Sequence, residues 1–448
     1  VQQPGRGSSL AEWLAWLETL HPKKIDLSLN RIRTILEVLA LAAPPFRIIT
    51  VGGTNGKGSC VAYLSGIYTQ AGFRTGAFTS PHLVAFNERI TIDGVQASDQ
   101  ELVDAFVAMD EARATVTLSY FEASAVAALV HFARHGVDVA VLEVGMGGRL
   151  DAVNAVDADA AVIVSVGIDH EEWLGSDRES IGFEKAGIMR AGAPVVIADP
   201  DPPHSIARAA RDTGADALFI NRDFDVTPEA DDLLVRCRGS AVRRIPKPRF
   251  GGQEQWLNAA ACVQVTECLA DQLPVPAAAL RSGIATAAPP GRADRRMIDG
   301  VEWIFDVAHN PAAAQRLAAM LAQVPAQGRC RAVFGALRDK DIRSVVAELA
   351  ALVDAWYIVT IDAERGARAE DVGAVIEPVG GAREIRAFAD VPSACAAARA
   401  QARPGDRIVV FGSFYIVGPA LSALELYSGL PGSAPQNLSQ IGKRSHYR

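Results

Sequence analysis

The chain has 448 residues, 44 Lys+Arg against 52 Asp+Glu, a formal net charge of −8, 49% hydrophobic and 21% charged residues. This length favours two or more domains, the composition is that of a globular enzyme with a substantial core, and the acidic balance argues against a general nucleic-acid binder. No apolar run reaches the roughly 18–20 residues that span a bilayer, and the polar, glycine-rich start lacks the basic and apolar regions of a signal peptide, so a cytoplasmic location with no membrane partner is expected.

The first predicted element is a helix from Ser9, because Ser9 and Glu12 have capping-box spacing and Trp13, Trp16, Leu17 and Leu20 share one face. A second helix over 29–41 buries Ile32, Ile35, Leu36 and Leu39, and Pro44-Pro45 stops it. Short apolar runs at 46–51, 75–79, 137–144, 160–166 and 193–197 then alternate with glycine-rich or polar loops and helical patterns. That alternation predicts a mainly parallel sheet wrapped by helices, with ligands at the carboxyl ends of its strands. The basic stretch Arg236, Arg238, Arg243, Arg244, Lys247 and Arg249 alternates around Gly239-Ser240. It reads as a hairpin with a charged outer face in preference to a polyanion site. Pro289-Pro290-Gly291 reads as a linker, and a second α/β series follows with runs at 301–307, 331–334, 356–361 and 407–411. The expected division is 1–290, a linker at 291–296, a second α/β domain at 297–430 and a loose tail at 431–448. No repeat at a fixed period is present. Cys60, Cys237, Cys262, Cys268, Cys330 and Cys395 form no C-x-x-C pair. Each reads as a small buried hydrophobe in a reducing compartment.

The run Val51-Gly52-Gly53-Thr54-Asn55-Gly56-Lys57-Gly58-Ser59 leads from a predicted strand into a predicted helix. Glycines let the backbone turn its N–H groups toward a phosphate chain, and the following helix adds its positive end. Lys57 would lie beside the outer phosphates and Ser59 would hold Mg²⁺. The match to the usual phosphate-loop pattern is imperfect, since the hydroxyl comes one residue late.

Three further loops offer hard ligands. Ser80 lies in Thr79-Ser80-Pro81-His82, Glu143 ends the run Val139-Ala140-Val141-Leu142, and Asp169-His170 ends another. A carboxylate buried at the end of an apolar strand is costly unless paired or metal-bound, and Mg²⁺ takes oxygen ligands, so Glu143 is a metal candidate. His170 reads equally as a ligand or as a hydrogen-bonded structural histidine. Lys185, in Phe183-Glu184-Lys185-Ala186-Gly187-Ile188, reads locally as a surface lysine at a helix start.

Together these segments resemble the folylpolyglutamate synthase and dihydrofolate synthase family, within the wider Mur ligases. The resemblance runs from Ile25-Asp26-Leu27 to Phe411-Gly412-Ser413-Phe414 and includes the phosphate loop, Thr79-Ser80-Pro81-His82-Leu83, Glu143-Val144-Gly145-Met146-Gly147-Gly148-Arg149-Leu150-Asp151-Ala152, Asp169-His170, Pro290-Gly291-Arg292 and Asp306-Val307-Ala308-His309-Asn310-Pro311. The late hydroxyl is the family's own form of the loop. The resemblance implies an N-terminal P-loop ATPase-like domain and a C-terminal Rossmann-like domain. It implies that Gly53, Thr54, Asn55, Gly56, Lys57, Gly58 and Ser59 bind ATP, joined by Asn258, Arg292 and Asp306, the last two from across a domain cleft. It implies that Ser59, Ser80, Glu143 and His170 arrange two Mg²⁺ ions, that a carbamylated Lys185 holds the second, and that His309 sits near the reacting phosphate. The pterin end falls to Leu27, Ser28, Leu29, Pro81, His82, Phe121, Glu122, Ser124, Asp151 and Asn154. Here the chain departs from the family pattern at Ser28, at Ala125 where a threonine is expected beside Ser124, and at Val153.

The implied reaction has two steps. A substrate carboxylate attacks the γ-phosphate of ATP, giving an acyl phosphate and ADP, and the amine of L-glutamate then attacks the acyl carbon and expels phosphate. Metal ions and Lys57 would neutralise the meeting anions, and domain closure would exclude water. The acceptors would be dihydropteroate and tetrahydrofolate with its polyglutamates, on a monomeric enzyme. Two alternatives share the loop: a cell-wall Mur ligase, which carries an extra N-terminal nucleotide-sugar domain where about 45 residues precede the loop here, and a non-catalytic nucleotide-binding relative, which predicts decay of residues that are all present.

Overall fold

The first helix, Leu10–Leu20, begins as its capping box predicts: the Glu12 N–H donates to Ser9 Oγ, and the Ser9 N–H donates to Glu12 Oε2 at 2.7 Å. It buries Trp13, Trp16 and Leu17, and Leu20 packs partly buried against the same core. The second helix is Asn30–Val38, burying Ile32, Ile35 and Leu36. The computed structural model describes residues 2–23, 26–380 and 384–427. Ile25, at the start of the family resemblance, and the tail expected to be loose at 431–448 lie outside the described residues.

The chain divides into two compact units, Val1–Arg249 with Gln253–Ala287, and Phe250–Gly252 with Ala288–Arg448. In the first, β1 (Arg47–Gly52), β2 (Thr75–Phe78), β3 (Ile90–Ile92), β4 (Val95–Gln96), β5 (Val139–Glu143), β6 (Ala160–Ile163), β7 (Pro194–Ile197) and β8 (Asp216–Phe219) form one sheet in the order β4-β3-β2-β5-β1-β6-β7-β8. The β2–β3 and β3–β4 pairs are antiparallel and the other neighbours parallel. The five runs expected as strands are β1, β2, β5, β6 and β7. β5 and β6 are buried at every position, as parallel strands covered on both faces must be. The register pairs Val51 with Glu143, Gly52 with Ile163 and Phe78 with Leu142. The loops leaving β1, β2, β5 and β6 therefore emerge side by side at one end of the sheet, where an open α/β sheet binds its ligand.

The basic stretch does form a hairpin. β9 (Asp225–Glu229), β10 (Asp232–Arg236) and β11 (Val242–Pro246) make a small antiparallel sheet in the order β11-β10-β9, and Gly239 and Ser240 take positive φ at the turn. Four of its arginines are paired with acids: Arg236 with Asp225, Arg238 with Asp216, Arg243 with Glu267 and Arg244 with Glu229.

The second unit holds β12 (Asp294–Ile298), β13 (Val301–Asp306), β14 (Cys330–Phe334), β15 (Ala355–Val359), β16 (Ile385–Phe388) and β17 (Arg407–Phe411), in the order β12-β13-β17-β14-β15-β16. Only the β12–β13 pair is antiparallel. The segment expected as a linker at 291–296 thus runs into the edge strand β12. Arg295 and Arg296 there are exposed, which gives the strand the polar look of a connection.

Candidate active site

The phosphate-loop segment is a strand–turn–helix, from β1 through the turn to the helix Lys57–Gln70. Gly56 has φ +90, and a Cβ there would stand 2.7 Å from Val164 Cγ1 and 3.0 Å from Asn258 Nδ2. Only glycine fits both the left-handed backbone and that approach. The same contact places Asn258, on the helix Glu254–Cys268, beside the loop. The loop is tied to the chain leaving β6. The Thr54 N–H donates to Ser165 O at 2.8 Å, the Asn55 N–H to Ser165 Oγ at 3.0 Å, and the Gly167 N–H to Thr54 Oγ1 at 3.0 Å. Sequence reading missed Ser165 and Gly167, whose signal was a polar residue at the point where β6 leaves the sheet.

Lys57 Nζ donates to Gly53 O at 3.0 Å, so its charge lies over its own loop. Ser59 is fully buried in the first turn of the helix, and its Oγ has no hydrogen-bond partner among the described residues. A buried hydroxyl without a partner is costly, and its position suits a hard cation. Glu143, 2% exposed, ends β5 and accepts the Ser80 N–H at 3.1 Å. These oxygens fit a hard divalent ion, which prefers carboxylate and hydroxyl oxygens and keeps waters and substrate phosphates. His170 is exposed, with φ 55, and its N–H donates to Asp169 Oδ1 at 2.9 Å.

Lys185 is not a surface residue. It is 3% exposed and lies in the last turn of the helix Arg178–Ala186, not at its start. The backbone of Gly148 packs on this turn, where an added Cβ would come within 2.9 Å of Lys185 O, and no local pattern announces that approach. Burial and the charge of Lys57 push its amine down to about 7, against the pull of Asp169 and Asp151. Burial pushes Asp151 up to about 7, although the N–H groups of Met146, Val153 and Gly145 and the charge of Lys57 act the other way. Both groups are thus driven toward their neutral forms.

The residues expected at the pterin end divide. Phe121 lies over the backbone of Gly145, where an added Cβ would come within 2.7 Å of its ring, and it packs on Phe78 with centroids 5.7 Å apart. Glu122 is buried and receives Arg31 Nη2 at 3.0 Å, while Arg31 Nη1 pairs with Asp26 at 3.2 Å beside Leu27, Ser28 and Leu29. His82 Nδ1 accepts from Arg89 Nε at 2.8 Å, and burial with the Arg89 charge pushes the ring down to about 2. His82 is therefore neutral, with its proton on Nε2. Pro81 is exposed. Two expected contacts are occupied internally. Ser124 is fully buried, and its hydroxyl donates to Tyr120 O in its own helix at 2.7 Å, so it belongs to the core. Asn154 gives both amide hydrogens to Arg149 O and Gly187 O and accepts from Arg190, which makes it a tie between loops.

In the second unit, Asp306 ends β13 and accepts the N–H groups of Ala293 and Ala308, each at 2.8 Å. Burial raises its carboxyl, opposed by those bonds and by Arg292. The Arg292 guanidinium lies over the Phe414 ring at 5.9 Å, a partner the sequence did not suggest. His309 Nδ1 donates to Val307 O at 2.8 Å, which fixes the ring's tautomer. Asn310 caps the following helix, Pro311–Gln323.

Two family models match: the Mur ligase middle domain at residues 51–223 and the Mur ligase glutamate ligase domain at 291–414. The dihydrofolate synthase/folylpolyglutamate synthase of Escherichia coli K12 is 38% identical over 422 residues, 94% of this chain and 97% of that protein. The structure of E. coli FolC in complex with DHPP and ADP superposes with a TM-score of 0.87 at 38% identity, covering 94% of this chain and 99% of that one. That of the bifunctional enzyme from Yersinia pestis complexed with AMPPNP and Mn ion gives 0.87 at 40% identity, covering 95% and 100%. With this identity along nearly its whole length, the chain belongs to the dihydrofolate synthase/folylpolyglutamate synthase family of Mur ligases.

Proposed function

We propose that the protein joins L-glutamate to the carboxylate of dihydropteroate, and to the γ-carboxylate of tetrahydrofolate and its polyglutamates, with ATP cleaved to ADP and phosphate. The observation that carries this reading is the convergence, at one end of the first sheet, of the Lys57 loop, the buried Ser59 hydroxyl that has no partner among the described residues, Glu143 and the buried Lys185. The glutamate ligase domain model over 291–414 supports glutamate as the amine. The relatives that hold ADP or AMPPNP with manganese support a nucleotide and a divalent ion.

The backbone N–H groups of 53–58 and Lys57 Nζ bind and orient the phosphates, with Asn258 beside the loop. Ser59, Ser80, Glu143 and His170 would hold the divalent ions, which would supply charge neutralisation on the transferring phosphoryl group. Arg292, Asp306 and His309 are the further residues we assign to the nucleotide. A substrate carboxylate oxygen bonds to the γ-phosphorus as the bond to ADP breaks. The glutamate nitrogen then bonds to the acyl carbon, phosphate departs with the carboxylate oxygen, and the ammonium-derived protons pass to solvent. Lys185, its amine pushed down to about 7 by burial and by Lys57, would add to carbon dioxide as the neutral amine through Nζ and release one proton, leaving a buried anion that could hold a divalent ion. Phe121, Asp151, His82 and the segment Leu27-Ser28-Leu29 face the acceptor. The six cysteines, all unpaired, agree with a cytoplasmic protein, and the chain acts as a monomer.

An acceptor labelled with ¹⁸O in its carboxylate tests the acyl-phosphate step. One ¹⁸O should appear in the released phosphate. Unlabelled phosphate would overturn the mechanism.

A further inference from the structure

Away from the loops just described, His131, His135 and Glu101 come together on neighbouring helices. His131 and His135 stand four residues apart at the end of the helix Tyr120–Arg134, and Glu101 lies in the first turn of the helix Asp99–Arg113. That spacing puts both imidazoles on one face of the helix. One donor atom from each of the three residues lies within 4.8 Å of the others, and the imidazole centroids are 4.2 Å apart.

Hydrogen bonding defines what the His135 ring presents. Its Nδ1 lies 2.8 Å from His131 O, a carbonyl that can only accept, so Nδ1 carries a proton. Nε2 then faces Glu101 Oε1 at 3.2 Å. Two lone pairs at that distance repel unless a cation joins them, either a proton on Nε2 or a metal ion. An Nδ1–H donated to a backbone carbonyl is the usual outer partner of a metal-bound histidine. The carboxylate is held as well: Glu101 Oε2 accepts the Ser98 N–H at 2.8 Å and Ser98 Oγ at 2.7 Å, leaving Oε1 directed at the histidines. His131 is 3% exposed, whereas the His135 side chain is 30% exposed and that of Glu101 41%. The cluster is thus anchored on one side and open on the other. Ligand atoms around a tetrahedral ion with bonds of about 2.0–2.1 Å stand about 3.3 Å apart. The Glu101–His135 pair already meets that spacing, and the nearest ring nitrogen of His131 stands within 4.8 Å of both.

We propose that Glu101, His131 and His135 form a second, non-catalytic site for a late first-row divalent ion such as Zn²⁺. Two imidazoles and a carboxylate suit zinc, nickel or copper and do not suit magnesium, so the site is chemically distinct from the set of Ser59, Ser80, Glu143 and His170, in which oxygen predominates. It clasps the helix Asp99–Arg113 to the helix Tyr120–Arg134, whose opposite end carries Phe121 and Glu122. The proposal is independent of the reaction assigned above.

The probe is Co²⁺ added to untagged, chelator-treated protein without nucleotide and with excess Mg²⁺ present. One equivalent should give a visible absorption band that Zn²⁺ abolishes. Glu101→Gln and His135→Gln, both changed at the open side, should each weaken binding at least tenfold. Zn²⁺ should raise the wild-type melting temperature and leave that of His135→Gln unmoved. No band with wild-type protein, or a band undiminished in both variants, would overturn the site. A Glu101→Gln stability loss of the same size with and without Zn²⁺ would also overturn it, showing an ion pair only.

Discussion

Replacing Ser59 with alanine should make the nucleotide-free protein more stable and the enzyme far slower. Ser59 Oγ is buried without a partner among the described residues. Leaving a buried hydroxyl unsatisfied costs about 1–3 kcal/mol, and alanine removes that cost. The oxygen-sized void it leaves, roughly 10–20 Å³, costs a few tenths of a kcal/mol at about 24 cal/mol per Å³. The net gain is about 0.5–2.5 kcal/mol, which at about 2–3 °C per kcal/mol for a domain of this size raises the melting temperature by about 1–8 °C. Turnover should fall about 10²-fold or more, the scale of losing one preorganised electrostatic partner, and higher Mg²⁺ should recover part of it. Calorimetry without nucleotide and phosphate release against Mg²⁺ concentration measure the two effects. A Ser59→Ala protein that is less stable yet fully active at the same Mg²⁺ would refute the reasoning, because the hydroxyl would then be a structural group.

Other residues of the same constellation give sharper contrasts. Lys57→Ala should abolish turnover with the fold intact, since the side chain's bonds to Gly53 O and Thr54 O are local; near-wild-type phosphate release would dismiss the loop assignment. Lys185→Ala should cut activity and be partly rescued by a short carboxylic acid supplied in solution, and full activity without rescue would show that no anion is needed there. Asp406 accepts the N–H groups of Arg329 and Arg403 and pairs with Arg331 at 2.7 Å, and although burial opposes ionisation these partners hold its carboxyl below its ordinary 3.8. A depressed carboxyl stabilises the fold fully above its unfolded value and loses that contribution as pH falls through the folded one. The stability gap between wild type and Asp406→Asn in urea should therefore be flat from pH 8 to 5 and shrink below about pH 4; a gap that grows on acidification would contradict the assignment.

The architecture was largely legible because parallel strands buried on both faces leave continuous apolar runs. β1, β2, β5, β6 and β7 and the later β13, β14, β15 and β17 all stand where such runs predict them. The edge strands β4, β12 and β16 are short and partly exposed, and β3 inside the first sheet is only three residues long, so none of them carries such a signature. At the site, the motifs placed Lys57, Ser59, Ser80 and Glu143 on the adjacent ends of neighbouring strands. Lys185 reads as a surface residue in sequence because burial is a tertiary property: the loop at Gly148, distant in sequence, packs on the turn that carries it. Ser124 and Asn154 show the converse. Their side chains looked available, but helix geometry turns the Ser124 hydroxyl onto Tyr120 O, and Asn154 is drawn into a tie with Arg149, Gly187 and Arg190.

The central claim is that cleavage of ATP is coupled to joining glutamate to a pterin carboxylate. The direct measurement is the initial rate of phosphate release with ATP, L-glutamate and dihydropteroate together, and with each omitted in turn, repeated with a tetrahydrofolate acceptor. The account predicts sustained release only when all three components are present, with the ligated product formed in equal amount. Release that persists at full rate without glutamate, or no release with either acceptor, would contradict it.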